Sequence, residues 1–222
     1  MAFGFGSTEG SGAGDRVVTS FTAHATQRSY GVWVYPSSGG DSIKRIFEKR
    51  VSSNQVELVI YNTVQTRIEY ERQWSLQRGR WSVPSFTGNV WTHLGISYDS
   101  ESTGNDAEIY VNGASQSVTT LDVPSGSAMN NGDPYVIGNR GDGTRTIGAR
   151  LAEFAIWDRV LSPSEWLALG SGVSPLYFAR ELRCYVPLIR DAVDILNGNC
   201  STIGTQPRRH LPTLFPQSIQ AG

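Results

Sequence analysis

Ala149-Arg-Leu-Ala-Glu-Phe-Ala-Ile-Trp157, running on into Asp158-Arg-Val-Leu-Ser162-Pro-Ser-Glu165-Trp-Leu-Ala-Leu-Gly170, is the stretch that decides the fold. Its first half predicts a strand from Arg150 to Trp157, because apolar side chains recur along an extended run with no turn residue. Its second half predicts a helix from Ser162 to Leu169. Ser162 is placed to cap it, Pro163 suits its first turn, and Glu165 stands where a capping box needs a carboxylate. Gly170 then reads as the C-terminal stop. No other segment carries helix signals of this strength.

Outward from that stretch, alternation with a period of two dominates. Arg28 to Tyr35 places Tyr30, Val32 and Val34 on one face and Trp33 and Tyr35 on the other. Gln55 to Tyr61 and Val64 to Tyr70 read as a hairpin turning at Asn62-Thr63. Trp91 to Tyr98 sets Leu94, Ile96 and Tyr98 on one face. Glu108 to Val111 runs into Asn112-Gly113, a pair that accepts the positive φ angles of a two-residue turn. Tyr135 to Gly138 adds a further strand. Gly, Ser, Asn and Asp clusters separate these runs at short intervals, which is the pattern of an all-β sandwich.

Composition narrows the function. The chain has 222 residues, a net charge of −1 and two cysteines, a size that suits one sandwich domain with a core large enough to need no cross-link. Near-zero charge removes the electrostatic footprint of a nucleic-acid binder. No apolar run approaches the ~20 residues that cross a bilayer, so neither nucleic acid nor membrane is an expected partner. The opening Met-Ala-Phe-Gly-Phe-Gly lacks a basic segment followed by an apolar one, so no secretory signal is read and synthesis in a cytoplasm is expected. In that compartment Cys184 and Cys200 are expected as free thiols, with pairing as the alternative. The 19 basic residues are 17 Arg and 2 Lys. Arginine favours bidentate and stacked contacts, and a genomic bias gives the same count without function.

The run Ile137-Gly-Asn-Arg-Gly141, together with the deciding stretch, resembles the laminin-G-like, concanavalin A-like group. Trp91-Thr-His-Leu94 with Tyr98-Asp99, Tyr110-Val-Asn-Gly113, and Arg45-Ile-Phe-Glu-Lys49 fit the same order of motifs, over roughly residues 15–175. The resemblance implies a jelly-roll sandwich of two antiparallel sheets with one short helix, used for binding or adhesion. The variant that opens with Ala2-Phe-Gly-Phe-Gly6 and continues past Ser174-Pro175 with a strand like Leu182 to Leu188 is similar to proteins of bacteriophage virions. That resemblance implies a virion location, and a capsid or fibre subunit, or a further copy of the chain, as partner. Some members of the group bind Ca²⁺ through loop aspartates, and Asp99, Asp106, Asp133 and Asp142 offer such oxygens. The same residues in Gly/Asn loops serve turn geometry, and no cofactor is expected.

An enzyme is not expected. Glycosidases of this fold carry alternate carboxylates on one strand in a Glu-x-Asp-x-Glu run, which the chain lacks, and Glu101, Asp106 and Glu108 lie in or beside a polar loop. His24, His93 and His210 have no nucleophile elbow to serve. Arg140-Gly141-Asp142 spells an adhesion tripeptide that the family-like turn also explains. Glycan binding needs an aromatic plate flanked by polar groups. Trp33, Trp91 and Trp157 are assigned to the core. Trp74 and Trp81, with Arg78 and Arg80, are the candidate exposed face, and the alternative is a strand pair whose tryptophans cap the sandwich edge. Asn131, Asp133, Arg140, Asp142 and Arg145 form the candidate rim.

From about Asn197 the alternation dissolves into a Pro-rich segment. We therefore expect a sandwich over residues 1–196, led by segment 1–15, and an extended assembly arm over 197–222. Pro207, Arg208, Arg209, Leu211, Leu214 and Phe215 would carry its contacts. The expected function is a non-enzymatic structural or fibre-associated virion protein, with a carbohydrate-binding adhesion module as the alternative.

Overall fold

The computed structural model describes residues 2–5, 14–37, 43–50, 56–188, 192–204 and 208–209. In chain order its strands begin with β1 (Ala2–Phe5), β2 (Arg16–Val18), β3 (Gln27–Pro36), β4 (Ile43–Lys49), β5 (Glu57–Asn62) and β6 (Arg67–Arg72). Then follow β7 (Gly79–Pro84), β8 (Thr92–Asp99), β9 (Glu108–Val111), β10 (Ala114–Ser115), β11 (Thr119–Asp122) and β12 (Tyr135–Ile137). After β13 (Ala149–Trp157) come helix α1 (Pro163–Gly170), a 3₁₀ turn over Pro175–Phe178, and β14 (Leu182–Val186). The last are β15 (Val193–Asp194), β16 (Gly198–Asn199), β17 (Ser201–Ile203) and β18 (Arg208–Arg209).

The strands make two large antiparallel sheets. The first runs β10-β9-β8-β3-β13-β1-β18, with β14 also on β13; the second runs β11-β7-β6-β5-β4-β12-β2-β17. The all-β sandwich expected from the alternation is the observed fold. Tyr30, Val32 and Val34 of β3 and Leu94, Ile96 and Tyr98 of β8 face the core between the sheets, where they meet Val59, Ile68 and Tyr70. The Asn112-Gly113 turn adopts φ of 50° and 79°, the left-handed pair that a two-residue hairpin requires.

The deciding stretch builds a second core on the outer face of the first sheet. Trp157, Leu161, Trp166 and Leu169 pack there with Tyr110 and Tyr185. Trp166 lies flat because its neighbour on β8 is Gly95, where a Cβ would stand 2.5 Å from the indole. The capping box forms as expected: the Ser162 side chain accepts from the Glu165 N–H, and the Glu165 carboxylate accepts from the Ser162 N–H. Arg159 adds a two-pronged contact to Glu165 at 2.9 and 2.6 Å, and the Arg159 contact first of all holds that carboxyl down to about 2.

Several expectations need correction. Gly170 does not stop the helix; it is the last helical residue, and Gly172, at φ 92°, takes the left-handed position. Gly170 is glycine for space, since a Cβ there would lie 2.3 Å from the Gly113 nitrogen. The β5–β6 hairpin turns over residues 63–66 rather than at Asn62-Thr63, with Asn62 paired to Arg67. Trp91 is only half-buried, packed against Trp33. The segment after Asn197 is not ladder-free. β15 and β16 form a hairpin across that boundary, β17 adds to the edge of the second sheet beside β2, and β18 pairs with β1. Arg208 and Arg209, two of the residues assigned to the arm's contacts, thus form a strand on the chain's own sheet. Pro207, Leu211, Leu214 and Phe215 lie outside the described residues.

A buried polar hub ties the two sheets together. Glu57 of β5 accepts from the hydroxyls of Tyr30 across the core, Tyr70 at 3.1 Å and Tyr135 at 3.0 Å. Arg72 and His24 each approach the same carboxylate at 3.6 Å, and Arg28 donates to the Tyr135 hydroxyl at 3.1 Å. Burial alone would push the Glu57 carboxyl up. His24, Arg72 and Arg28 outweigh it and hold the group well below the usual carboxylate range.

Candidate functional site

On β6, Ile68 and Tyr70 face the core, so the period of two turns Arg67, Glu69 and Glu71 to the opposite, outer face of the second sheet. On β7 the inward positions are Gly79, Trp81 and Val83, which leaves Arg80 outward. Strand register then lines up a cross-strand row: Glu48 opposite Leu58, Leu58 opposite Glu71, Glu71 opposite Arg80, and Arg80 opposite Asp122. A second row sets Arg45 opposite Ile60 and Ile60 opposite Glu69.

The rows are knitted by ion pairs. Arg67 Nε lies 2.7 Å from Glu69 Oε1, and Arg78 Nη1 lies 3.3 Å from Glu71 Oε2. Arg78 Nε and Arg80 Nε converge on Asp122 Oδ2 at 3.3 and 3.1 Å, while Arg80 Nη1 reaches toward Glu69 at 3.8 Å. The carboxylates sit deep, with the Glu69 and Glu71 side chains 3% and 7% exposed, and the guanidiniums lie over them, Arg78 at 38% and Arg80 at 25%. Burial raises the Glu71 carboxyl above its ordinary value, against the pull of Arg78, Arg45 and Arg80. With Arg45 beside Glu48 at 3.3 Å, four guanidiniums against four carboxylates leave these two rows neutral. It presents preset N–H donors beside carboxylate acceptors.

The structure divides the expected site residues. Arg78 and Arg80 share Asp122 and belong to this ladder. Trp74 and Trp81 do not flank it: both are buried in the core between the sheets. Trp81 donates from Nε1 to Asp106 at 2.7 Å and packs on Tyr98 at 4.7 Å between ring centres. Gly79 is the glycine that makes room for it, since a Cβ there would stand 2.2 Å from the indole. Strand alternation sends the arginines and the tryptophan of one segment to opposite faces, so the exposed aromatic plate expected at Trp74 and Trp81 is not there.

The expected rim lies in two places. Loop 139–146 borders β4, where the Arg145 carbonyl accepts from the Arg45 N–H at 3.0 Å and Gly141 N–H donates to Glu48 at 2.8 Å. Arg140 Nε stands 3.3 Å from Asp142, so the adhesion tripeptide closes on itself. Asp142 also accepts from the Thr144 hydroxyl at 2.6 Å. Asn131 and Asp133 bond each other through a local turn, and the Asp133 carbonyl accepts from Lys49 Nζ at 2.7 Å.

Asp99 and Asp106 are likewise engaged locally, by the Glu101 N–H and by Trp81 and Thr120. With Glu108 they line a cleft of about 350 Å³. Among the described residues no group of three or more His, Cys, Asp or Glu side chains is gathered as a metal site.

Sequence reasoning missed Glu69, Glu71 and Asp122, although the alternation of β6 carries the signal. It also missed Asn139, buried beneath the loop. Its amide oxygen accepts from the Arg140 and Arg145 N–H groups, and its nitrogen donates to the Asp15 carbonyl and the Thr146 hydroxyl.

Two face-packed antiparallel sheets with one helix define a jelly-roll sandwich. The chain belongs to the Concanavalin A-like lectin/glucanases superfamily, whose family model matches residues 11–165. Among solved structures it is similar to a protein of Bacteroides ovatus ATCC 8483 provisionally described as carbohydrate binding, with a TM-score of 0.65 at 18% identity over 93% of this chain and 59% of that one. This chain therefore spans less than two thirds of that relative. It is also similar to the heptameric SAP-like pentraxin of Limulus polyphemus, with a TM-score of 0.59 at 13% identity over 88% and 89% of the two chains. The receptor binding domain of botulinum neurotoxin C/D mosaic serotype aligns with a TM-score of 0.53 at 14% identity, over 66% of this chain and 36% of that one. At these identities the likeness is one of fold. Comparison with curated proteins finds no match.

Proposed function

We propose that the chain is a non-catalytic recognition module that binds a neutral, hydroxyl-rich glycan across Arg67, Arg78, Arg80 and Asp122 on the outer face of its second sheet. The ladder itself carries this reading. Sugar hydroxyls both donate and accept, and a neutral array of guanidinium donors beside carboxylate acceptors matches them without demanding a charged ligand. The superfamily and the carbohydrate-binding description of the Bacteroides relative support the same class. Glu69 and Glu71, one strand repeat or about 7 Å apart, have a spacing that glycosidic carboxylates use. Each is covered and engaged by arginine, so neither is set to protonate a leaving group.

The test is a glycan array with the wild-type chain, Arg78→Ala and Asp122→Asn, each checked for an unchanged thermal melt. Losing a charge-assisted hydrogen bond costs about 1.5–3 kcal/mol, or about tenfold or more in Kd. Both variants should lose at least that much on the same neutral glycans. Wild-type-like binding by both folded variants would refute the site, and no binding by the wild type would refute the function.

A second reading keeps the virion role, with a capsid or fibre subunit or another copy as partner. Its support is the sequence resemblance and the pairing of residues 208–209 with β1 at the end of the first sheet. Solution mass of the chain with and without residues 205–222 tests it: an oligomer that falls to monomer on truncation favours assembly, and a monomer in both forms favours the glycan module alone.

A further inference from the structure

The two cysteines stand on the same open side of the sandwich. Cys184 is on β14, an edge of the first sheet, and faces the core. Cys200 immediately precedes β17, the edge of the second sheet, and packs against that same core. Between them the β15–β16 hairpin folds back, with Cys200 N–H donating to the Ala192 carbonyl at 3.0 Å and Ile195 N–H donating to the Tyr185 carbonyl at 2.9 Å. Asp194 lies between the two: its Oδ1 accepts at 3.1 Å from the N–H of Tyr185, the neighbour of Cys184, and its strand pairs Val193 with Asn199, the neighbour of Cys200. Both thiols are free in the structure.

We propose that Cys184 and Cys200 are a cross-linking pair whose disulfide staples the β14 edge of the first sheet to the β17 edge of the second. It also fixes the residue from which β17 starts along β2. A disulfide exchange with oxidised glutathione balances the step. The thiolate of Cys200, the more exposed of the two, attacks one glutathione sulfur and expels a reduced glutathione. The Cys184 thiolate then attacks Cys200 Sγ and expels the second. The protein loses two electrons and two protons, and one oxidised glutathione becomes two reduced ones.

Burial pushes the Cys200 thiol up to about 11 and the Cys184 thiol well above its ordinary value. Exchange on the folded chain is therefore slow at neutral pH, and the bond is made while the hairpin is still open.

The experiment refolds the reduced full chain in a buffer of reduced and oxidised glutathione and compares it with Cys200→Ser treated identically. The expected wild-type product is a monomer lighter by two hydrogen atoms, whose non-reducing peptide map links the fragments bearing Cys184 and Cys200. Its Tm should exceed that of the reduced chain by about 6–12 °C, the gain of a loop near 15 residues in a domain of this size. The variant should show neither the link nor the gain. Two thiols still alkylated in denaturant, a persistent glutathione adduct, or a bond only between chains would each overturn the pairing.

Discussion

His93 makes the fold acid-sensitive in a way that one substitution isolates. It lies on the outer face of β8 between Trp33 and Trp166, with ring centres 5.2 and 6.0 Å away, and its Nδ1 has no hydrogen-bond partner among the described residues. Burial lowers its pKa to about 3. In the unfolded chain an ordinary histidine titrates near 6.5. Below that pH the unfolded state gains a proton that the folded state refuses, so stability present above pH 6.5 drains away as pH falls toward 3. Each pH unit in that window is worth about 1.4 kcal/mol, so two units, down to pH 4.5, cost about 2.7 kcal/mol. That is a large share of the ~5–15 kcal/mol that holds a domain folded. Urea unfolding of the wild type and His93→Leu at pH 7.5 and 4.5 measures it. Packing changes in the variant act at both pH values, and the carboxylates and other histidines titrate in both proteins, so the difference of differences reports His93. The wild type should lose about 2.7 kcal/mol more than the variant. Equal losses would show that the imidazole takes up its proton without unfolding, and the argument from burial would fall.

Glu57→Gln keeps the shape of the buried hub but takes from Arg72 the carboxylate it faces at 3.6 Å, while Arg28 keeps Asp158 at 3.1 Å; urea unfolding should show a loss of about 3–5 kcal/mol. Gly170→Ala sets a methyl 2.3 Å from the Gly113 nitrogen, a backbone atom that cannot turn aside, and a thermal melt should report about 1–3 kcal/mol of destabilisation. Thr66 is β-branched at φ 48°; Thr66→Gly should relieve that strain and stabilise by about 0.5–1 kcal/mol in the same melt.

The strands and the helix were legible because each follows a local rule. Alternation identified β3, β8 and β13, and Ser162, Pro163 and Glu165 carried the helix start. The turn after Asn62 was misplaced because Val64 looks like a strand residue, yet it stands exposed in the 63–66 turn. Gly170 looked like a stop because a helix-ending glycine and a packing glycine are the same letter; the close approach of the Asn112-Gly113 turn separates them. At the site, Arg78 and Arg80 were legible but Trp81 was joined to them as a segment, where period two parts them. Asp122 pairs with Arg80 only through the β7–β11 register, a long-range fact that no window of sequence holds. The hub around Glu57 was hidden for the same reason, since its tyrosines come from β3, β6 and β12.

The two outer faces of the sandwich divide the work. On the first sheet, Gly95 and Gly170 let α1 press Trp166 against β8, and Trp91 and Trp33 extend the apolar cover, so that face is spent on stability. On the second sheet the polar rows on β4, β6, β7 and β11 carry no such helix among the described residues, and their charges are paired to neutrality rather than left as a field. Such an array recognises by geometry, and geometry requires a stiff support. The hub supplies it from below: Glu57 and Arg72 sit on the inner faces of β5 and β6, and the Tyr30 hydroxyl locks them to the first sheet. Placing the buried ions beneath the strands that carry Glu69, Glu71 and Arg67 fixes the spacing of those groups. Under the proposed function that rigidity is the source of the face's selectivity, and it ties the core chemistry of this chain to the surface it presents.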